Sequence, residues 1–223
     1  MLERERDRVA AASRQLASSG LVLGTAGNVS ERAGDRVAIT PTGAALARLE
    51  ADEVTVIDLS GARVDGPLPP TSELALHLGV YKRYRAGAVV HTHAPVSTAL
   101  SSVLDEVPAV HYQMVALGGP VRVAPYATFG TPELAAATLD ALQDRHAALM
   151  ANHGTVTYGD ELDGAVARTL LLEWACTVYW RAASIGAPRA LREDELDAVR
   201  SELERRDYGS LLEAGKTSRA PET

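Results

Sequence analysis

An α/β fold around a central mixed or antiparallel sheet is predicted by three features of this sequence. Four stretches carry helical patterning, at residues 3–19, 73–85, 131–143 and 161–185. Short runs rich in β-branched residues lie between them, among them RVAIT (36–40), EVTVIDL (53–59) and GAVVHTH (87–93). The two kinds alternate without the regular strand–helix–strand rhythm of a parallel sheet. With 223 residues, no internal repeat and no long linker, the chain reads as one domain over 1–223.

Taken in order, residues 3–19 form a charged amphipathic helix ended by Gly20, and LGTAGNVS (23–30) is a glycine-rich loop. Two strands follow at 36–40 and 53–59, with a PTG turn (41–43) after the first and the turn-rich GARVDGPLPP after the second. Thr71 or Ser72 caps a helix over about 73–85. GAVVHTH is a strand, and Ala94–Leu100 starts a helix. PVRVAPY (120–126) holds a short strand. Thr131-Pro132-Glu133 combines a capping side chain, a proline in the first turn and an acid after it, and opens a helix to about 143. AALMAN (147–152) and TVTYG (155–159) are strands on either side of His153-Gly154. The helix over 161–185 shows apolar spacing through Leu170, Trp174, Val178 and Ile185. A last helix covers 193–206, and the polar tail from about 209 is expected to be mobile.

Composition excludes several functions. The net charge of −7 and the lack of a basic stripe argue against nucleic acid as a partner. No stretch is long enough to span a bilayer, and the charged N-terminus lacks the apolar core of a signal peptide, so a cytoplasmic location without membrane contact is expected. The single cysteine, Cys176, rules out an internal disulfide and any four-ligand site with two or more thiolates. Its neighbours, LLLEWACTVYW, point to buried packing.

His91 and His93 lie two apart in an extended run, which puts both imidazoles on one face. Such a pair alone is a weak sign of metal. His153, in Asn-His-Gly at a strand end, offers a third ligand, and Glu73 at a helix start offers a carboxylate. Imidazole suits zinc, and also manganese, iron or nickel. His77, His111 and His146 occur without ligand spacing. A cupin barrel also uses His-x-His, but it is all-β, and the four helical stretches exclude it. Gly27-Asn28, Thr42-Gly43 and Thr71-Ser72 are turns or a helix start whose backbone N–H groups and hydroxyls suit an anion. Neither GxxxxGK[ST] nor GxGxxG is present, so no nucleotide site is indicated.

The segments GTAGNVS, ITPTG, TSE, AVVHTHAP, PAVHYQMVALGG, APYATFGTPEL and ANHGT occur in this order between residues 20 and about 185. In them the chain resembles the class II aldolases of the fuculose-phosphate aldolase and ribulose-phosphate 4-epimerase superfamily. The resemblance implies an α/β/α sandwich around a mainly antiparallel sheet, assembled as a homotetramer. It implies one divalent ion per subunit, Zn²⁺ first and Mn²⁺, Co²⁺ or Fe²⁺ next, on His91, His93 and His153, with Glu73 as fourth ligand at rest. Gly27, Asn28, Thr42, Gly43, Thr71 and Ser72 would hold the phosphate of a sugar-phosphate substrate. Tyr112 would reach a neighbour's site as a proton donor, and Tyr208, in Asp-Tyr-Gly, matches a C-terminal tyrosine of the aldolases. The implied reaction is reversible retro-aldol cleavage of a phosphorylated, fuculose-1-phosphate-like ketose to dihydroxyacetone phosphate and an aldehyde, with Glu73 as general base.

The sequence departs from the pattern at two positions. Thr71 stands where serine is common, and Asn152 where a further histidine is frequent. The 4-epimerases resemble this chain less, because they carry aspartate at the place of Glu73. Methylthioribulose-phosphate dehydratase and sugar-acid phosphate decarboxylase share the metal site and remain alternatives. A non-catalytic adducin-like scaffold lacks the histidines that are present here.

Overall fold

The computed structural model describes residues 1–206, so the expected tail and Tyr208 lie outside the described residues. Nine strands join in one sheet: β1 (Asn28–Ala33), β2 (Arg36–Ile39), β3 (Thr55–Asp58), β4 (Arg63–Asp65), β5 (Ala88–Thr92), β6 (Glu106–Val107), β7 (Val121–Ala124), β8 (Ala147–Met150) and β9 (Gly154–Gly159). Their spatial order is β4-β3-β2-β1-β5-β9-β8-β7-β6. Every pairing is antiparallel except β7 with β8. The helices are α1 (Glu3–Ser18), α2 (Leu74–Arg83), α3 (Pro95–Ser101), α4 (Pro132–Ala141), α5 (Leu162–Ala183) and α6 (Glu193–Arg205).

Strand alternation divides the core. Val37, Ile39, Val89, Ala148 and Met150 point to one face and pack under α2 and α4. Their neighbours Ala38, Ala88 and Val90 point to the other face, under α1 and the start of α5. Ala147 and Leu149 join that second face beside α3, α5 and α6, where Leu100, Leu172, Cys176 and Leu196 complete the packing. Helices therefore cover both faces of a mainly antiparallel sheet, the expected α/β/α sandwich.

Three sequence expectations need correction. The loop read over 23–30 ends at Gly27, and Asn28 already belongs to β1, which pairs with β2 on one side and β5 on the other. The turn-rich stretch after β3 contains β4, a three-residue edge strand. The stripe expected to bury α5 is the wrong one: Trp174 and Ile185 are exposed, and the buried face runs through Leu162, Ala165, Val166, Thr169, Leu172, Ala175 and Cys176. Its small residues let the helix approach the sheet closely. Large side chains misled the reading because they dominate any apolar pattern. Cys176 is fully buried, as expected, and burial pushes its thiol pKa far up.

No helix among the described residues is long and apolar enough to cross a membrane.

Candidate active site

The centre of the sheet assembles the site. Asn28 on β1 lies directly opposite His91 on β5, and His91 opposite Val156 on β9. His93 follows one residue beyond β5, where Pro95 opens α3 and ends the strand. Thr92, between the two histidines, points to the other face and meets the Thr155 hydroxyl at 2.9 Å. His153 sits in the three-residue turn of the β8–β9 hairpin. That turn needs a left-handed residue, which Asn152 supplies with φ 55°. Gly154 is required for a different reason: a Cβ there would lie 2.3 Å from the Thr92 carbonyl oxygen and 3.0 Å from the His93 ring.

The result is a near-equilateral triangle of imidazoles. Ring centroids are 4.8 Å apart for His91–His93, 5.0 Å for His91–His153 and 4.9 Å for His93–His153, all edge-on. One ligand nitrogen from each lies within 4.8 Å of the others. Glu73, at the N-terminus of α2, brings Oε2 to 2.9 Å from His91 Nε2 and Oε1 to 3.4 Å from His153 Nε2.

The donor and acceptor inventory shows that a cation fits here. His91 Nδ1 lies 2.8 Å from the Thr155 carbonyl, which can only accept, so Nδ1 carries the proton and the Nε2 lone pair faces inward. That lone pair meets His93 Nε2 at 3.0 Å and an acceptor-only carboxylate at 2.9 Å. Glu73 Oε1 is buried without a hydrogen-bond partner. A proton reconciles one of these pairs, whereas a metal ion reconciles all of them.

The electrostatics agree. Burial, then the neighbouring His91 and His153, pull the His93 pKa down to about 4. Burial and His91 lower that of His153. Both rings are thus held neutral, the form that ligates metal. Burial pushes the Glu73 carboxyl up, but positive charge at the facing His91 and His153, which a bound cation would supply in place of protons, and the Asn28 amide outweigh it and hold the group well below the carboxylate range.

A cleft of about 290 Å³ opens above this floor, lined by Gly27, Asn28, Thr42, Gly43, Thr71, Ser72, Glu73, His93 and His153. The turns that the sequence marked for an anion and the candidate metal-binding residues Glu73, His93 and His153 therefore line one cleft. Gly27 lies against β5, with φ +91° and room for no Cβ, which would stand 2.9 Å from the His91 carbonyl. The loop before α2 runs beside residues 40–42: Thr42 N–H donates to Pro69 O and Thr71 N–H to Thr40 O. The amides of Thr42 and Thr71 are thus engaged, and the Thr71 hydroxyl oxygen accepts from Glu73 N–H at 3.3 Å while keeping its own proton to donate.

Tyr112 does not line this cleft. It is half-exposed in a 3₁₀ turn, Tyr112–Leu117, and borders a separate apolar groove with Leu171 and Leu203. Its ring lies tilted against His111, whose ring meets Trp174 edge-on at 4.7 Å. The apolar stretch around it is only partly surface, since Ala109, Met114 and Leu117 are buried.

Sequence reasoning missed two groups. Tyr126 and Phe129 stand 67% exposed at the cleft rim; the sequence signal was the placing of the chain's single phenylalanine in a polar, glycine-containing turn. His77, set aside for lack of ligand spacing, is fully buried on α2 directly behind Asn28.

The chain matches the Class II Aldolase and Adducin N-terminal domain over residues 7–180. It is 38% identical over 208 residues to a 5-deoxy-D-ribulose 1-phosphate aldolase of Bacillus thuringiensis serovar kurstaki, covering 92% of this chain and 97% of that one. It is 42% identical over 190 residues to a 5-methylthioribulose-1-phosphate/5-deoxyribulose-1-phosphate aldolase of Rhodospirillum rubrum, covering 84% and 86%. Among solved structures, an L-fuculose 1-phosphate aldolase superposes with a TM-score of 0.86 at 31% identity, over 90% of this chain and 96% of that one. With its fold, its histidine triad and these likenesses in agreement, the chain belongs to the class II aldolase and adducin family.

Proposed function

We propose that the chain is a metal-dependent aldolase that reversibly cleaves a ketose 1-phosphate into dihydroxyacetone phosphate and an aldehyde. The observation that carries this reading is the convergence of His91, His93, His153 and Glu73 on the floor of a donor-rich cleft. A divalent cation held there, zinc by preference and manganese, cobalt or iron as substitutes, supplies Lewis acidity at the ketose carbonyl. Gly27, Asn28, Thr42, Gly43, Thr71 and Ser72 bind the phosphate with hydroxyls and N–H groups; among the described residues no Lys or Arg lines the cleft.

In the direction of synthesis, Glu73 takes a proton from the hydroxyl-bearing carbon beside the carbonyl of dihydroxyacetone phosphate. A tyrosine gives a proton to the aldehyde oxygen as the carbon–carbon bond forms, and cleavage runs both transfers backwards. Tyr112 fills that role from a neighbouring copy of the chain, because in its own chain it borders a different groove. On this reading the working form is a homotetramer closed by repeated head-to-tail contacts, and its compartment is the cytoplasm. Tyr126, Ala127 and Phe129 give the rim an apolar side. It suits an aldehyde fragment poor in hydroxyls, in keeping with relatives named for 5-deoxyribulose 1-phosphate.

The test is release of dihydroxyacetone phosphate from 5-deoxyribulose 1-phosphate, 5-methylthioribulose 1-phosphate and fuculose 1-phosphate, each beside its unphosphorylated ketose. Turnover is expected on at least one phosphate, lost with chelator and restored by metal. The free sugars should react far more slowly, since the binding energy that the cleft donors gain from the phosphate would be lost. No product from any of the three, or equal rates on free sugar, would refute the reading.

A further inference from the structure

Behind the cleft, five buried side chains form one hydrogen-bonded line between β1 and α2. Asn28 Nδ2 lies 3.0 Å from Glu73 Oε2, and Asn28 Oδ1 lies 2.5 Å from His77 Nε2. His77 Nδ1 is 2.7 Å from Ser30 Oγ, which is 2.7 Å from the Tyr81 hydroxyl. Ser30 and His77 are fully buried, and Tyr81 nearly so.

The direction of every bond follows from one end. An ionised carboxylate only accepts, so Asn28 must turn its NH₂ towards Glu73 and its oxygen towards His77. The oxygen needs a donor, so His77 is the Nε2–H tautomer. Its bare Nδ1 then accepts from Ser30, and Ser30 accepts from Tyr81. The reverse line would set the Asn28 oxygen against the Glu73 carboxylate. Spacing in sequence supports the same unit: Glu73, His77 and Tyr81 recur every four residues along one face of α2, and Asn28 and Ser30 share one face of β1.

We propose that His77 is a positioning residue, which locks the Asn28 carboxamide so that Glu73 is held and aimed at the cleft. Ser30 and Tyr81 act one step further out, by fixing the His77 tautomer. Without the lock Asn28 can rotate, and its oxygen would then repel the carboxylate it now holds. Burial supports the neutral state of the ring, drawing its pKa down to about 3. The assignment rests on the reading of Glu73 as the base.

Kinetics and tautomer are measured separately, so that the two readings can fail independently. His77→Leu removes the donor. It should keep its bound metal and lose about 10- to 100-fold in kcat on the ketose phosphate, the usual cost of an outer hydrogen-bond partner. His77→Gln, whose amide nitrogen can replace Nε2–H, should recover to within about threefold of wild type. Should the leucine variant fail to fold, Ser30→Ala replaces it, with a loss of about three- to tenfold expected from a freed tautomer. Selective ¹⁵N-histidine spectra of the wild type should show His77 protonated at Nε2 and bare at Nδ1. That signal stands even if the protein cleaves no ketose phosphate, in which case the proposed function falls and not the lock. Wild-type kcat in folded His77→Leu or Ser30→Ala, a glutamine variant as slow as the leucine one, or an Nδ1–H signal would each overturn the proposal.

Discussion

At Glu73 a buried carboxylate faces two imidazole nitrogens on one side and a carboxamide on the other. Its charge and its shape can be separated by substitution. Glu73→Gln keeps the volume and one acceptor oxygen but cannot take a proton. His93→Ala keeps the base and removes a ligand. Glu73→Gln is expected to hold metal close to the wild-type level and to lose about 10²-fold or more in kcat. His93→Ala is expected to lose the metal and the activity together while the fold persists. Metal analysis of the two purified variants, beside a dihydroxyacetone phosphate assay, checks the contrast. A His93→Ala protein with full metal content would dismiss the triad, and near-normal kcat in Glu73→Gln would move the base elsewhere. The histidine triad was legible in sequence because its pattern is local: two histidines at strand spacing and a third beside a glycine. His77 was not, because its meaning depends on a partner 49 positions away on another element.

Among the elements, the β8–β9 hairpin carries the sharpest demand on backbone. Gly154, the first residue of β9 after the turn, lies so close to the end of β5 that a Cβ on it would run into the Thr92 carbonyl and the His93 ring. Gly154→Ala should therefore push the hairpin away from β5 and carry His153 with it. A loss of about 1–3 kcal/mol in stability is expected for such overpacking. Metal should be retained more weakly through dialysis, read by thermal unfolding with and without added zinc. An alanine variant with unchanged Tm and unchanged metal retention would dispose of the argument. Helices α1, α2 and α4 and strands β2, β3, β5, β8 and β9 were readable from periodicity and punctuation. Strands β4 and β6 were not, since a strand of two or three residues at a sheet edge buries too little to leave a pattern. In α5 the wrong stripe was chosen because the side facing the sheet mixes Leu162, Val166 and Leu172 with alanine, threonine and cysteine, while both tryptophans lie on the exposed side.

For the whole molecule, the question is what covers the bulky side of α5 and the turn that bears Tyr112. If a second copy does, each complete site draws Glu73 from one chain and Tyr112 from another. Tyr112→Phe and Glu73→Gln, each inactive alone, should then regain part of the activity once their subunits exchange, because some sites pair two intact residues. Mixtures that show only the parents' residual rates after confirmed exchange, or a fully active monomer by sedimentation, would reject the shared site. The same surface has an optical consequence. Both tryptophans of the chain, Trp174 and Trp180, lie on α5 and are about half exposed, one of them against the His111 ring. The tryptophan emission of this protein is thus confined to one helix and reads how wet that helix is. Emission should shift to shorter wavelength as subunits associate and return on dilution, which turns a cuvette into an assembly gauge with no label attached. A spectrum that stays fixed while the sedimenting mass changes would mean that α5 faces water in every state.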